Sequence, residues 1–216
     1  MARRMPSAAL DRPRLPCRQP RPRGSSLPQQ PSGCAARRSL RVNLEGMIPL
    51  LDPESLREIV DESVAQARLS ELGDSRSTAA LGEKAELFRM LGRLDEALQA
   101  AEQCFRLAHF TGDREQLTRA RLRRAIVFQY RGDLERALAE MTSCRASAHI
   151  ESWDALEAFA AQHEGKVLFE LGRYEEAKDS VAHALDIRQR IEAPRDQIES
   201  SRFTVEAIMR RSLKDG

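Results

Sequence analysis

Gly92-Arg-Leu-Asp-Glu-Ala97, Gly132-Asp-Leu-Glu-Arg-Ala137 and Gly172-Arg-Tyr-Glu-Glu-Ala177 stand 40 residues apart in a 216-residue chain, and they decide its fold. The likeness continues on either side of each glycine. Ala85, Ala125 and Gly165 correspond, as do Phe88, Phe128 and Leu168, then Ala101, Met141 and Val181, and finally Cys104, Cys144 and Ala184. A fixed period of this length is the mark of a repeat architecture.

Within one copy, apolar residues recur at helical spacing before the glycine (Leu81, Ala85, Phe88, Leu91) and after it (Leu94, Ala97, Leu98, Ala101, Phe105), so each unit is a helical hairpin. The glycine falls where the first helix, A, must stop and turn into the second, B. A positive φ is often required there. The small residues at 85 and 97 let A and B approach closely, with Phe88 and Leu94 filling the space beside them. One hairpin cannot bury its apolar face alone, so neighbouring hairpins must stack.

The order small, aromatic, Gly, Leu or Tyr, Ala resembles the tetratricopeptide repeat, in its longer 40-residue form, over about residues 78–190. The resemblance implies an all-α solenoid of antiparallel helical hairpins whose A helices line a concave groove. Connections such as Thr111-Gly112-Asp113 take up the extra length, with Asp113 as N-cap and Gln116 three residues on. A proline near the repeat end, usual in that family, has its counterpart only in Pro194.

The flanks read as partial repeats. Asp52-Pro53-Glu54 has the residues of a helix start, predicting a capping helix that runs to about Leu69 before Gly73 breaks it. Arg195 to about Arg211 predicts a C-terminal capping helix with Ile198, Val205 and Ile208 on one face. The expected domains are thus an Arg/Pro-rich tail at 1–46, a partial repeat at 47–77, three repeats at 78–190 and a cap at 191–216.

The tail carries 10 basic residues against Asp11 and Glu45, or +8, and seven of the ten prolines. With so little apolar surface it is expected to be disordered. A transit peptide and a true start at Met47 are the alternatives. The rest of the chain balances to −6, since the whole is +2. No apolar run is long enough to span a membrane. Without a secretion signal, Cys17, Cys34, Cys104 and Cys144 are expected to be reduced, and the protein cytoplasmic.

No catalytic constellation is evident, and no cofactor is expected. His109, His149, His163 and His183 lack ligand spacing for a metal. Pairs such as Glu175-Glu176 begin a helix and suit its dipole. Family geometry places Arg89, Arg119, Leu122, Ile126, Gln129, Tyr130, Phe159, Gln162, His163, Lys166, Phe169 and Arg202 on the groove face. This strip would suit a protein or peptide segment with apolar anchors and acidic flanks. The plainer alternative is that its apolar residues pack on neighbouring helices.

Gly82, Leu122 and Gln162 occupy the places where a carboxylate clamp would need polar side chains, which argues against chaperone-tail binding. The expected function is a non-enzymatic peptide-binding scaffold. The alternative is a structural subunit or regulator arm that self-associates or docks through its end faces. Nucleic-acid contact would rest on the tail alone.

Overall fold

A computed structural model describes residues 50–215, with the side chains from residue 51 onward. The tail, Cys17, Cys34 and Met47 lie outside the described residues. After a two-stranded ladder of β1 (Leu50–Leu51) and β2 (Glu58–Ile59) come eight helices: α1 (Glu62–Leu72), α2 (Thr78–Met90), α3 (Leu94–Thr111), α4 (Arg114–Tyr130), α5 (Leu134–Ile150), α6 (Asp154–Glu170), α7 (Tyr174–Arg190) and α8 (Arg195–Asp215). Helices α2 to α7 are three A–B hairpins, and consecutive helices pack on one another along the chain. The architecture is an all-α solenoid.

The repeat columns explain the packing. Ala85, Ala97, Ala101, Ala125, Ala137, Met141, Ala177 and Val181 are all buried, so the small and medium residues predicted to face one another do so. Gly165 marks the tightest approach: a Cβ there would lie 2.3 Å from Val181 Cγ2 and 2.9 Å from the Ala177 carbonyl oxygen. Only a residue without a side chain lets α6 and α7 come this near.

Each A helix ends in the same way. Gly92, Gly132 and Gly172 have φ of 71°, 85° and 74°. The following amides donate back to the carbonyls of Phe88, Phe128 and Leu168 at 2.8, 3.0 and 2.9 Å, closing a Schellman motif in all three copies. A second left-handed series ends the B helices, at Gly112, Ser152 and Glu192, again 40 apart. Sequence reading did not reveal that series, because two of its members are not glycine. Asp113 caps α4 as expected, accepting from the Gln116 amide at 3.0 Å.

The N-terminal flank departs from expectation. Asp52 does act as a cap, its carboxylate accepting from the amides of Glu54 and Ser55 at 2.9 and 2.7 Å. The turn stops after one bond, from the Leu56 amide to the Asp52 carbonyl at 2.8 Å. Leu56 then adopts φ 56°, and the chain doubles back so that Leu50 pairs with Ile59 and Leu51 with Glu58. The expected helix starts only after Asp61, which accepts from the amides of Ser63 and Val64 at 2.9 and 3.2 Å. It ends at Leu72 before Gly73.

Candidate functional site

The helix that opens each hairpin contributes residues to one face, and the turn of residues 50–59 lies on it. Leu56 is 1% exposed and joins an apolar cluster with Leu168 and Phe169 of α6, Ala177 and Val181 of α7, and Ala207 and Ile208 of α8. A leucine in the left-handed region costs about 1–2 kcal/mol. Burying its side chain returns about 1.5–3 kcal/mol. The anchor is thus strained locally and held by contacts more than a hundred residues away.

Two residues further on, Glu58 reaches the charged part of the same face. Its carboxylate lies 2.6 Å from Arg89 Nη2 of α2 and 3.5 Å from Lys166 Nζ of α6. The three side chains are 11%, 4% and 7% exposed, which makes this a buried cluster with little water to screen it. Burial opposes ionisation of Glu58, but Arg89 and Lys166 outweigh it and hold the carboxyl down at about 2. Burial and the Lys166 charge push His163 well below its ordinary value, so its ring is neutral beside the ion pair. Lys166 is lowered by burial as well.

Aromatic and amide groups complete the contact. The Glu58 amide donates to Tyr130 Oη over a long 3.4 Å. The guanidiniums of Arg57 and Arg89 both lie over the Tyr130 ring, with Cζ atoms 4.9 and 4.5 Å from its centroid. Arg57 also reaches Glu170 at 2.9 Å, and Gln129 donates to the other oxygen of Glu170 at 2.7 Å. Near the turn, exposed Glu54 lies 3.2 Å from half-buried Arg211 and 3.3 Å from exposed Lys214 of α8.

Of the residues expected on the groove face, six meet around this turn: Arg89, Gln129, Tyr130, His163, Lys166 and Phe169. Phe159 packs edge-on against His163, with ring centroids 4.5 Å apart. Gln162 turns instead to α8. Its Nε2 donates to Thr204 Oγ1 at 2.9 Å, and its Oε1 accepts from Ser201 Oγ at 2.9 Å. Leu122 and Ile126 belong to the core beneath α4, at 0% and 4% exposure. Arg119 pairs with Glu115 on its own exposed helix face, and Arg202 is exposed on α8.

Leu56 and Glu58 fall inside the helix expected from Asp52-Pro53-Glu54, so the sequence did not announce their contacts with this face. Nor did it announce a second cluster. Glu157, 5% exposed, takes His183 Nε2 at 2.7 Å and His149 Nδ1 at 3.2 Å. These histidines are 34 residues apart on different B helices, so no local spacing announces them. Cys104 and Cys144 are free and buried, and their thiols donate to the carbonyls of Thr78 and Thr118 at 3.3 and 3.8 Å. Burial raises both thiols, Cys144 to about 11, which makes them poor nucleophiles. Among the described residues no group of three or more His, Cys, Asp or Glu side chains is arranged to hold a metal ion. No described helix is long and apolar enough to cross a membrane.

The fold is shared with known helical-repeat structures. The crystal structure of the apo form of RapI superposes with a TM-score of 0.54 at 16% identity, covering 71% of this chain and 56% of that one. BtubC from P. vanneervenii superposes with a TM-score of 0.52 at 18% identity, covering 71% and 65%. This chain therefore spans between about half and two thirds of each. No family model and no curated protein matches the sequence.

Proposed function

We propose that the protein is a non-enzymatic binding scaffold that holds an extended segment of another protein on the face formed by its A helices. The observation behind this reading is that Arg89 of α2, Tyr130 of α4 and Lys166 of α6, from three successive repeats, converge on one short segment through Glu58. A face that grips backbone, carboxylate and apolar side chain together has the elements of peptide recognition.

Selection of linear peptides displayed on phage tests it. Binders to the intact chain are expected to weaken at least about 10-fold on a Tyr130→Ala/Phe169→Ala chain, equivalent to about 1.4 kcal/mol. They are expected to be unaffected by Phe110→Ser/Ile150→Ser, which alters exposed apolar residues at the ends of α3 and α5. Comparable helicity of the variants is checked first. The opposite pattern would move the site to the B-helix ends and overturn the groove reading.

A further inference from the structure

The segment on the groove is part of the same chain, and its chemistry describes what else would fit. Leu56 and Glu58 are recognised by separate devices two residues apart. An apolar patch from α6 and α8 takes the leucine, and a cationic cluster from α2 and α6 takes the carboxylate. We propose that residues 50–59 are a tethered ligand, and that the external partner is an extended peptide with a large apolar residue followed two positions later by a carboxylate, which enters by displacing them. This rests on the groove reading above and names its ligand class.

Three observations carry it. First, the pocket requires a carboxylate: Arg89 and Lys166 are 5% and 6% exposed, so an occupant without an acid would leave two buried cations unpaired. Second, the tethered segment satisfies the face incompletely. Arg89 Nη1, Gln129 Oε1 and His163 Nδ1 are buried without a hydrogen-bond partner, although buried polar atoms in folded proteins are overwhelmingly paired. An occupant with further polar groups would engage them.

Third, apart from its two anchors and the Arg57 pair with Glu170, the segment is weakly secured. Its ladder is two residues long, Leu56 is in the left-handed region, the Glu58 amide contact is 3.4 Å, and Glu54, which makes the α8 pairs, is exposed. The repeat stack is built by α2 to α7 packing on one another.

A fluorescent peptide with the sequence of Leu50–Val60, titrated by anisotropy into full-length chains, tests the proposal. When the binding-competent fraction is small, apparent affinity falls by that fraction. A full-length Leu56→Ala/Glu58→Gln chain is therefore expected to bind the peptide at least 10-fold more tightly than the wild type. A peptide with glutamine at the Glu58 position is expected to bind neither. In the wild-type chain, saturating peptide is expected to speed hydrogen exchange at the Leu56 and Glu58 amides, a readout that does not depend on the variant folding.

Equal binding by both chains, abolished by Lys166→Met, would overturn the tether and leave the groove reading intact. No binding to a helical double variant, with unchanged exchange in the wild type, would overturn the ligand class, while the groove reading falls only on the display result. A concentration-dependent dimer that keeps Leu56 and Glu58 protected would make a second copy the occupant and overturn the proposal.

Discussion

Helices α2 and α6 occupy the same place in the first and third repeats, yet they meet their surroundings differently. Helix α2 turns Glu83, Lys84 and Glu86 toward solvent or half-buried partners: Glu83 meets Arg68, Glu86 meets Arg123, and Lys84 reaches the carbonyls of Gly73 and Ser75. In α6 the same columns hold His163, Glu164 and Lys166, all buried. Glu164 is held by Thr142, Ser180 and Arg145, while Lys166 faces Glu58. The contrast teaches that the solenoid does not itself demand polar residues inside. Glu164 is enclosed between α5 and α7, whereas Lys166 is buried because the 50–59 turn covers it.

The largest way to break this contrast is to remove the acid. Glu58→Gln leaves Arg89 and Lys166 buried without a counter-charge and is expected to cost about 3 kcal/mol in chemical denaturation. Glu83→Gln, which removes a partly exposed pair on α2, is expected to cost under about 1 kcal/mol. Equal costs would erase the distinction between the two helices.

Gly165→Ala comes next. Its methyl would collide with Val181 and the Ala177 carbonyl, with an expected loss of about 1–3 kcal/mol. Ala85 shows that the same column in α2 accepts a methyl group, so Ala85→Gly is expected to cost only about 1 kcal/mol.

Acid offers a third test, with its direction set by Glu58. Its pKa is lowered from about 4.5 to about 2, so its stabilisation is complete above pH 4.5 and is lost as the pH falls toward 2. Burial and the Lys166 charge hold His163 well below its ordinary value, so its tendency to take up a proton on unfolding acts in the same direction, beginning below about pH 6.5. Exchange at the Leu56 amide is expected to accelerate through that window relative to amides of α4. The smallest effect is expected at Ser152. Replacing this left-handed residue by glycine relieves strain, and a gain of about 0.5–1 kcal/mol should appear as a raised melting temperature.

The hairpins were legible in the sequence because their determinants are local and repeated. A glycine fixes each A–B turn, and small residues 40 apart fix each crossing. The placement of Arg89, Tyr130 and Lys166 on the opening helices of the hairpins was legible too. Leu122 and Ile126 were harder to place, because α4 is enclosed by neighbours on more sides than an amphipathic pattern implies. The N-terminal turn was hidden because Asp52-Pro53 carries helix-start chemistry for a single turn. Nothing about a leucine announces φ 56°, and the Glu58 to Lys166 contact spans more than a hundred residues.

The central claim is that one carboxylate joins the N-terminal segment to the A-helix face, and a double-mutant cycle between Glu58→Gln and Arg89→Met tests it most directly. Unfolding free energies of the wild type, the two single variants and the double variant are expected to give a coupling of about 2 kcal/mol. A coupling near zero, with all four chains equally helical, would show that Glu58 does not sit on Arg89 and would contradict the account.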